Sequence, residues 1–281
     1  MHIWHRIIIK NCINIKSNQN AKLYKLQGEK MKKFYITCLI FMSTLIAAEV
    51  DLTTDQCEAT NDISTEKVFT KDFSGTFNGQ KLNYTASLKE KILYEKDNPK
   101  AELASFYYSE YIVSSDENRP IMFIFNGGPG SASLWLHMGV LGPKIVKVPS
   151  DASDDGSPPY NIIDNNLSPL SETDMVFIDP IGTGYSRALG CHDGEEFWGV
   201  NEDPKIIAEF IRRWITDNKR WNSPRYILGE SYGGIRGPLL VSELRSGDIT
   251  PIEINGLLMV APASDYQYLV FHPGNNSPHY G

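Results

Sequence analysis

The chain has 281 residues, 41% hydrophobic and 22% charged, which is the composition of a packed globular protein and excludes a disordered tail or a fibre. Its formal charge of −7 is unevenly spread: residues 1–48 carry +7 and the remaining 233 carry −14. A body that acidic repels phosphate backbones, so nucleic acid is excluded as a partner.

In chain order, residues 1–30 show no repeat and no helix cap, and read as an upstream extension or mis-start before a true start at Met31. Residues 31–48 open with Met31-Lys32-Lys33, continue as a short apolar run and exit through Ala47-Ala48, the layout of a secretory signal peptide. The run is too short for a membrane span, so no stable membrane anchor is expected. With cleavage after Ala48, Cys57 and Cys191 are the cysteines that survive. One disulfide between them is permitted and nothing in the spacing demands it. Cys191-His192 has no second ligand pair for zinc, so it reads as a loop thiol beside a surface histidine, and no metal is expected.

Residues 49–67 are a polar arm. Val68–Thr70, Lys81–Leu88 and Leu103–Ile112 have strand character, and Asn78-Gly79 between the first two is a hairpin turn signal, so an antiparallel meander is predicted. From Ile121 the pattern changes to buried strands alternating with helices. Ile121–Phe125 is a continuous apolar run suited to a strand covered on both faces. A Gly/Pro loop follows, then an apolar helix from about Ser133 in which His137 is a core histidine. Asp174–Ile178 is the next strand. Asp203-Pro204 reads as N-cap and first helical residue, ahead of a stripe formed by Ile206, Ile207, Phe210, Ile211, Trp214 and Ile215. Strands at Tyr226–Leu228 and Gly256–Val260 flank a helix containing Leu239–Leu244. Such alternation predicts a mostly parallel sheet with helices on both faces.

Two motifs carry chemistry. Gly229-Glu230-Ser231-Tyr232-Gly233 is G-x-S-x-G between a strand and a helix. A serine there sits on a strained turn that glycines on either side make room for, with the Tyr232 N–H available to a developing oxyanion. Asn126-Gly127-Gly128-Pro129-Gly130 follows an earlier strand, where a second oxyanion donor belongs, and the Gly128 N–H fits that role. Gly182-Thr183-Gly184 lacks the third glycine and the helix of a dinucleotide loop, and no cofactor is expected. Asn83, Asn166 and Asn275 begin glycosylation sequons, used only in a cell with that chemistry.

At residues 126–133, 141–143, 179–186 and 229–234 the chain resembles the serine carboxypeptidase family, in its bacterial-type branch, and the resemblance runs over residues 68–281. It implies an α/β-hydrolase fold and removal of C-terminal residues from peptide or protein substrates, and the leader at residues 31–48 places that activity outside the cytoplasm. On it Ser231 is the nucleophile, Gly128 and Tyr232 supply the oxyanion N–H groups, and Asn126, Gly127 and Glu230 hold the substrate's C-terminal carboxylate. Two carboxyl groups that close do not both ionise comfortably, so such a site favours acidic pH. The chain departs from the family's better-known branch at Ile124, Ser131 and Val140, which stand where tryptophan, cysteine and a second glutamate are expected.

A serine nucleophile needs a base and an orienting acid, which follow it in the order acid, then histidine. After Ser231 the available partners are Asp248, Asp265, His272 and His279. In the family both groups come later in the chain, so residues 49–281 are expected to be the N-terminal part of an incomplete α/β-hydrolase domain, inactive alone. A compact triad through His279 is the alternative arrangement. Two other readings stay open: a related hydrolase such as a proline iminopeptidase, and a catalytically inactive peptide-binding homologue.

Overall fold

The computed structural model describes residues 64–113, 118–149, 151, 153, 156–246 and 250–264, all within the unit formed by residues 57–281. The leader, residues 1–30 and the polar arm up to 63 lie outside the described residues, as do Cys57, Asp248, Asp265, His272 and His279.

The predicted meander is present. Strands β1 (Val68–Phe77) and β2 (Gln80–Tyr94) pair antiparallel down to Phe77 opposite Gln80. The two residues between them, Asn78 and Gly79, have φ of 48° and 81°, the left-handed pair that a tight hairpin requires. Strand β3 (Glu102–Ile112) returns along β2. Strands β4 (Ile121–Phe125), β7 (Asp174–Ile178), β9 (Arg225–Glu230) and β10 (Gly256–Val260) form a parallel set in the order β7-β4-β9-β10. The antiparallel β3–β7 pair joins the two halves into one sheet, β1-β2-β3-β7-β4-β9-β10, with short β8 (Arg187–Ala188) beside β3. Strands β5 (Lys144–Val146) and β6 (Ile162–Asp164) form a separate ribbon.

Side-chain alternation sorts the core into two faces. Ile121, Phe123 and Phe125 of β4 and Val176 and Ile178 of β7 enter one cluster, where helices α1 (Glu202–Asp217) and α2 (Gly233–Ser246) pack. Ile124, Met175 and Phe177 enter the other, with Phe77, Tyr84, Leu136 and Leu170. Both long helices therefore share one cluster. Among the described residues the opposite face is covered by strands, loops and short helical turns rather than by a matching helix, which corrects the expectation of helices on both faces. None of the described helices is long and apolar enough to cross a membrane.

The predicted stripe on α1 is buried throughout. Its start differs from expectation: Asn201 is the cap residue and Asp203 is already helical, without a capping bond. The Asp203 carboxylate instead accepts from Arg236 Nε at 2.7 Å, a partner that leaves it unavailable to the helix end. The expected helix from Ser133 is one α-turn, Leu134–Leu136, continued by a π-turn, His137–Leu141. A Gly142 N–H to His137 O bond of 2.9 Å closes this wider turn. His137 is held in the core: its Nε2 lies 2.6 Å from Tyr111 Oη, and its ring stacks on Phe177.

The Cys191-His192 expectation is corrected on both counts. Cys191 is disulfide-bonded. The His192 side chain is 15% exposed and clamped between Glu95 at 3.0 Å and Glu196 at 2.9 Å.

Candidate active site

The three parallel strands β7, β4 and β9 all deliver their carboxyl ends to one edge of the sheet, the edge at which sites form in open α/β sheets. After β9 the chain turns through Ser231 into α2. Ser231 has φ 56°, a left-handed conformation that costs a non-glycine residue about 1–3 kcal/mol. Backbone bonds hold it there: its N–H donates to Val260 O at 2.9 Å, and its carbonyl accepts from Gly234 N at 2.8 Å and Ala263 N at 2.9 Å. A Cβ on Gly229 would stand 2.5 Å from the carbonyl oxygen of Gly233, so the turn cannot be this sharp with any other residue. This is the elbow expected of G-x-S-x-G.

The glycine loop after β4 rests on that elbow. Gly127 abuts the backbone of Glu230 and Tyr232, and a Cβ on it would be 2.5 Å from Glu230 O. Gly128 has φ 106° and is exposed beside the turn, and a Ser131 N–H to Gly127 O bond of 3.2 Å closes the loop. The expected oxyanion donors, Gly128 and Tyr232, thus lie on segments in direct contact.

The residues assigned to the substrate carboxylate are also brought together. Glu230 Oε2 accepts from Asn126 Nδ2 at 3.1 Å and from Gly127 N at 3.3 Å. Asn126 is 1% exposed, and its Oδ1 accepts from Leu136 N at 3.1 Å. Asn126 therefore orders the loop and Glu230, while Glu230 is the half-exposed member of the set.

Four residues have supporting roles that the sequence reading did not assign. Asp179, at the end of β7, accepts from Ser133 N at 2.8 Å and so pins the segment leaving the glycine loop. Burial pushes its carboxyl above the ordinary value, with the Ser133 bond pulling the other way. Ser186 Oγ donates to Asp179 O at 2.7 Å and accepts from Tyr107 N at 2.8 Å, so the block 179–186 is a buttress. Arg236 and Asp203 form a buried ion pair beneath the loop. The sequence signal for that pair was present in Asp203, a buried-helix carboxylate that capping could have explained, and absent for Arg236.

A cleft of about 280 Å³ opens beside the loop, between Pro129 and Gly130 on one side and Ile181, Phe197 and Trp198 on the other. Among the described residues no group of metal-ligating side chains gathers, and no hydrogen bond reaches Ser231 Oγ. His137 and His192 are committed to the partners given above.

A mixed sheet with a parallel core and a strained serine between strand and helix is the arrangement of an α/β-hydrolase. The sequence profile described as serine carboxypeptidase matches residues 80–270, and the chain belongs to that family. Similar curated proteins include serine carboxypeptidase-like 2 of Arabidopsis thaliana, 28% identical over 173 residues (59% of this chain, 37% of that protein). Another is serine carboxypeptidase-like 5 of the same plant, 28% identical over 181 residues (60% and 40%). The chain therefore spans about two-fifths of the length of these relatives. Among solved structures, the prohormone-processing carboxypeptidase Kex1(Δ)p of Saccharomyces cerevisiae superposes with a TM-score of 0.47 at 22% identity, covering 62% of this chain and 38% of that one.

Proposed function

We propose that this chain contributes the nucleophile and oxyanion hole of a secreted serine carboxypeptidase. The observation that supports it best is the pairing of a left-handed Ser231 with a glycine loop seated on its turn. In the proposed reaction Ser231 Oγ attacks the carbonyl of the substrate's last peptide bond while a histidine removes its proton. The N–H groups of Gly128 and Tyr232 stabilise the tetrahedral oxyanion. The bond to nitrogen breaks, the histidine proton passes to the leaving amino acid, and water then hydrolyses the acyl-serine. The histidine and its acid come from outside the described residues.

Glu230, ordered by Asn126 and the Gly127 N–H, faces the terminal carboxylate, and a single proton shared by the two acids binds them. This gives the preference for a free C-terminus and for acidic pH. The Cys191 disulfide fits an oxidising, extracytoplasmic compartment.

The test is hydrolysis of blocked dipeptides by the full protein. A free C-terminus should be cleaved, with rate falling as pH rises. Equal cleavage of C-terminally amidated substrates would defeat the exopeptidase reading. Absence of fluorophosphonate labelling at Ser231 would favour an inactive peptide-binding homologue.

A further inference from the structure

We propose that Arg236 is a positioning residue that sets the relative placement of the two oxyanion donors. The inference rests on the serine-hydrolase reading above.

Arg236 lies one turn into α2, five residues after the nucleophile, and is 2% exposed. Its side chain touches every segment that must be in register. Nη1 donates to the carbonyl oxygen of Asn126 at 2.8 Å. The same peptide unit is held at its other end, where the Gly127 N–H donates to Glu230 Oε2 at 3.3 Å. A peptide plane fixed at both its oxygen and its hydrogen cannot rotate, and the next N–H along the chain is that of Gly128. The guanidinium also lies over two rings, Phe125 at 5.1 Å and Tyr232 at 5.2 Å. Phe125 ends the strand that leads into the glycine loop, and Tyr232 bears the second donor. Asp203 of α1 fixes the guanidinium itself through Nε at 2.7 Å.

One flat cation thus holds the loop carrying one donor against the residue carrying the other. Lysine has the charge, but its donors sit on a single nitrogen that cannot take the places of both Nε and Nη1, and it has no flat face for the rings. A small displacement of an oxyanion donor weakens the transition state far more than it weakens substrate binding.

The experiment compares wild type, Arg236→Lys and the double variant Asp203→Asn/Arg236→Gln in the full protein. The double variant keeps a hydrogen-bonding pair without leaving a lone buried charge. Turnover of a blocked dipeptide is measured per Ser231 titrated with a fluorophosphonate, so that misfolded molecules are not counted. The expected result is a fall in kcat of about 10–100-fold with KM within about 3-fold. A kcat per titrated site equal to wild type in both variants would overturn the inference, since a merely structural role lowers only the titrated fraction. Amide hydrogen exchange provides a readout that needs no turnover: Gly127, Gly128 and Tyr232 should exchange faster in both variants while the interior of β4 does not. Unchanged exchange at these amides would also overturn the inference. A wild-type protein that neither labels nor turns over would strike the carboxypeptidase reading, and exchange alone would then decide the role of Arg236.

Discussion

A Cβ placed on Gly127 would lie 2.8 Å from the Cβ of Ser231, closer than two such carbons pack. The glycine loop proposed to offer one oxyanion donor and the turn that bears Ser231, the proposed nucleophile, are therefore in backbone contact, and the site's dimensions follow from the absence of one methyl group.

Gly127→Ala should accordingly abolish most activity while leaving the fold. The alanine must push the loop off the elbow, since the Glu230 carbonyl also stands 2.5 Å from the new carbon. Loss of one aligned oxyanion donor is expected to lower kcat by about 10²–10³-fold. Gly139→Ala is the control, because a Cβ there meets nothing within 4 Å. Steady-state kinetics with matched melting curves check the pair.

Asp174 governs stability rather than catalysis. It is fully buried at the start of β7, and its Oδ1 accepts from Val113 N and Arg119 Nε, both at 2.9 Å. Its Oδ2 accepts from Arg220 Nη1 at 2.9 Å, while Arg220 Nη2 donates to the Arg119 carbonyl at 2.7 Å. Removing the carboxylate breaks three hydrogen bonds at a fully buried position, two of them to guanidinium groups. Asp174→Ala should cost about 3–5 kcal/mol in a denaturant titration.

Much of this site was legible in the sequence because its geometry depends on residues with a local signature. A positive φ at Ser231 needs glycines around it, and Asn78-Gly79 writes a hairpin in two letters. The strands β4 and β7 are legible because burial on both faces leaves an unbroken apolar run. Misreadings arose where a tertiary partner took a residue from its local role. Asp203 has the chemistry of an N-cap, yet a buried arginine thirty-three residues later claims it. The helix expected from Ser133 shortens and widens because His137 is drawn to Tyr111 and Phe177, contacts that no local pattern records. Arg236 itself looks like any exposed helical cation until the fold buries it.

Asp179 makes a pH-dependent prediction. Its folded carboxyl holds a proton more tightly than the unfolded one because of burial, against the Ser133 N–H. The folded state therefore binds more protons here. The contribution to stability is present below the unfolded value and is lost as pH rises through the folded one. Asp179→Asn keeps an acceptor for Ser133 and cannot ionise, so its stability relative to wild type should improve as pH is raised from strongly acidic to neutral. Asp179→Ala instead leaves the Ser133 N–H without its partner and should be less stable than Asp179→Asn at every pH. Chemical denaturation of the three proteins across pH checks the ordering.

His137 sets the opposite acid limit. Burial lowers its pKa to about 4 from the ordinary 6.5. Between those values the unfolded chain takes up a proton that the folded chain refuses, so stability falls as pH drops from about 6.5 toward 4. A shift of this size is worth no more than about 3 kcal/mol by the time the folded group titrates. His137→Gln keeps a polar end for Tyr111 and has nothing to titrate. It should lose stability at neutral pH, through the missing ring on Phe177, yet show a shallower decline into acid than wild type. Denaturation midpoints at neutral and acidic pH measure both effects, and identical acid slopes in the two proteins would contradict the assignment. Protonation of His137 would therefore loosen the turn it anchors, and with it the Leu136 N–H that donates to Asn126 Oδ1.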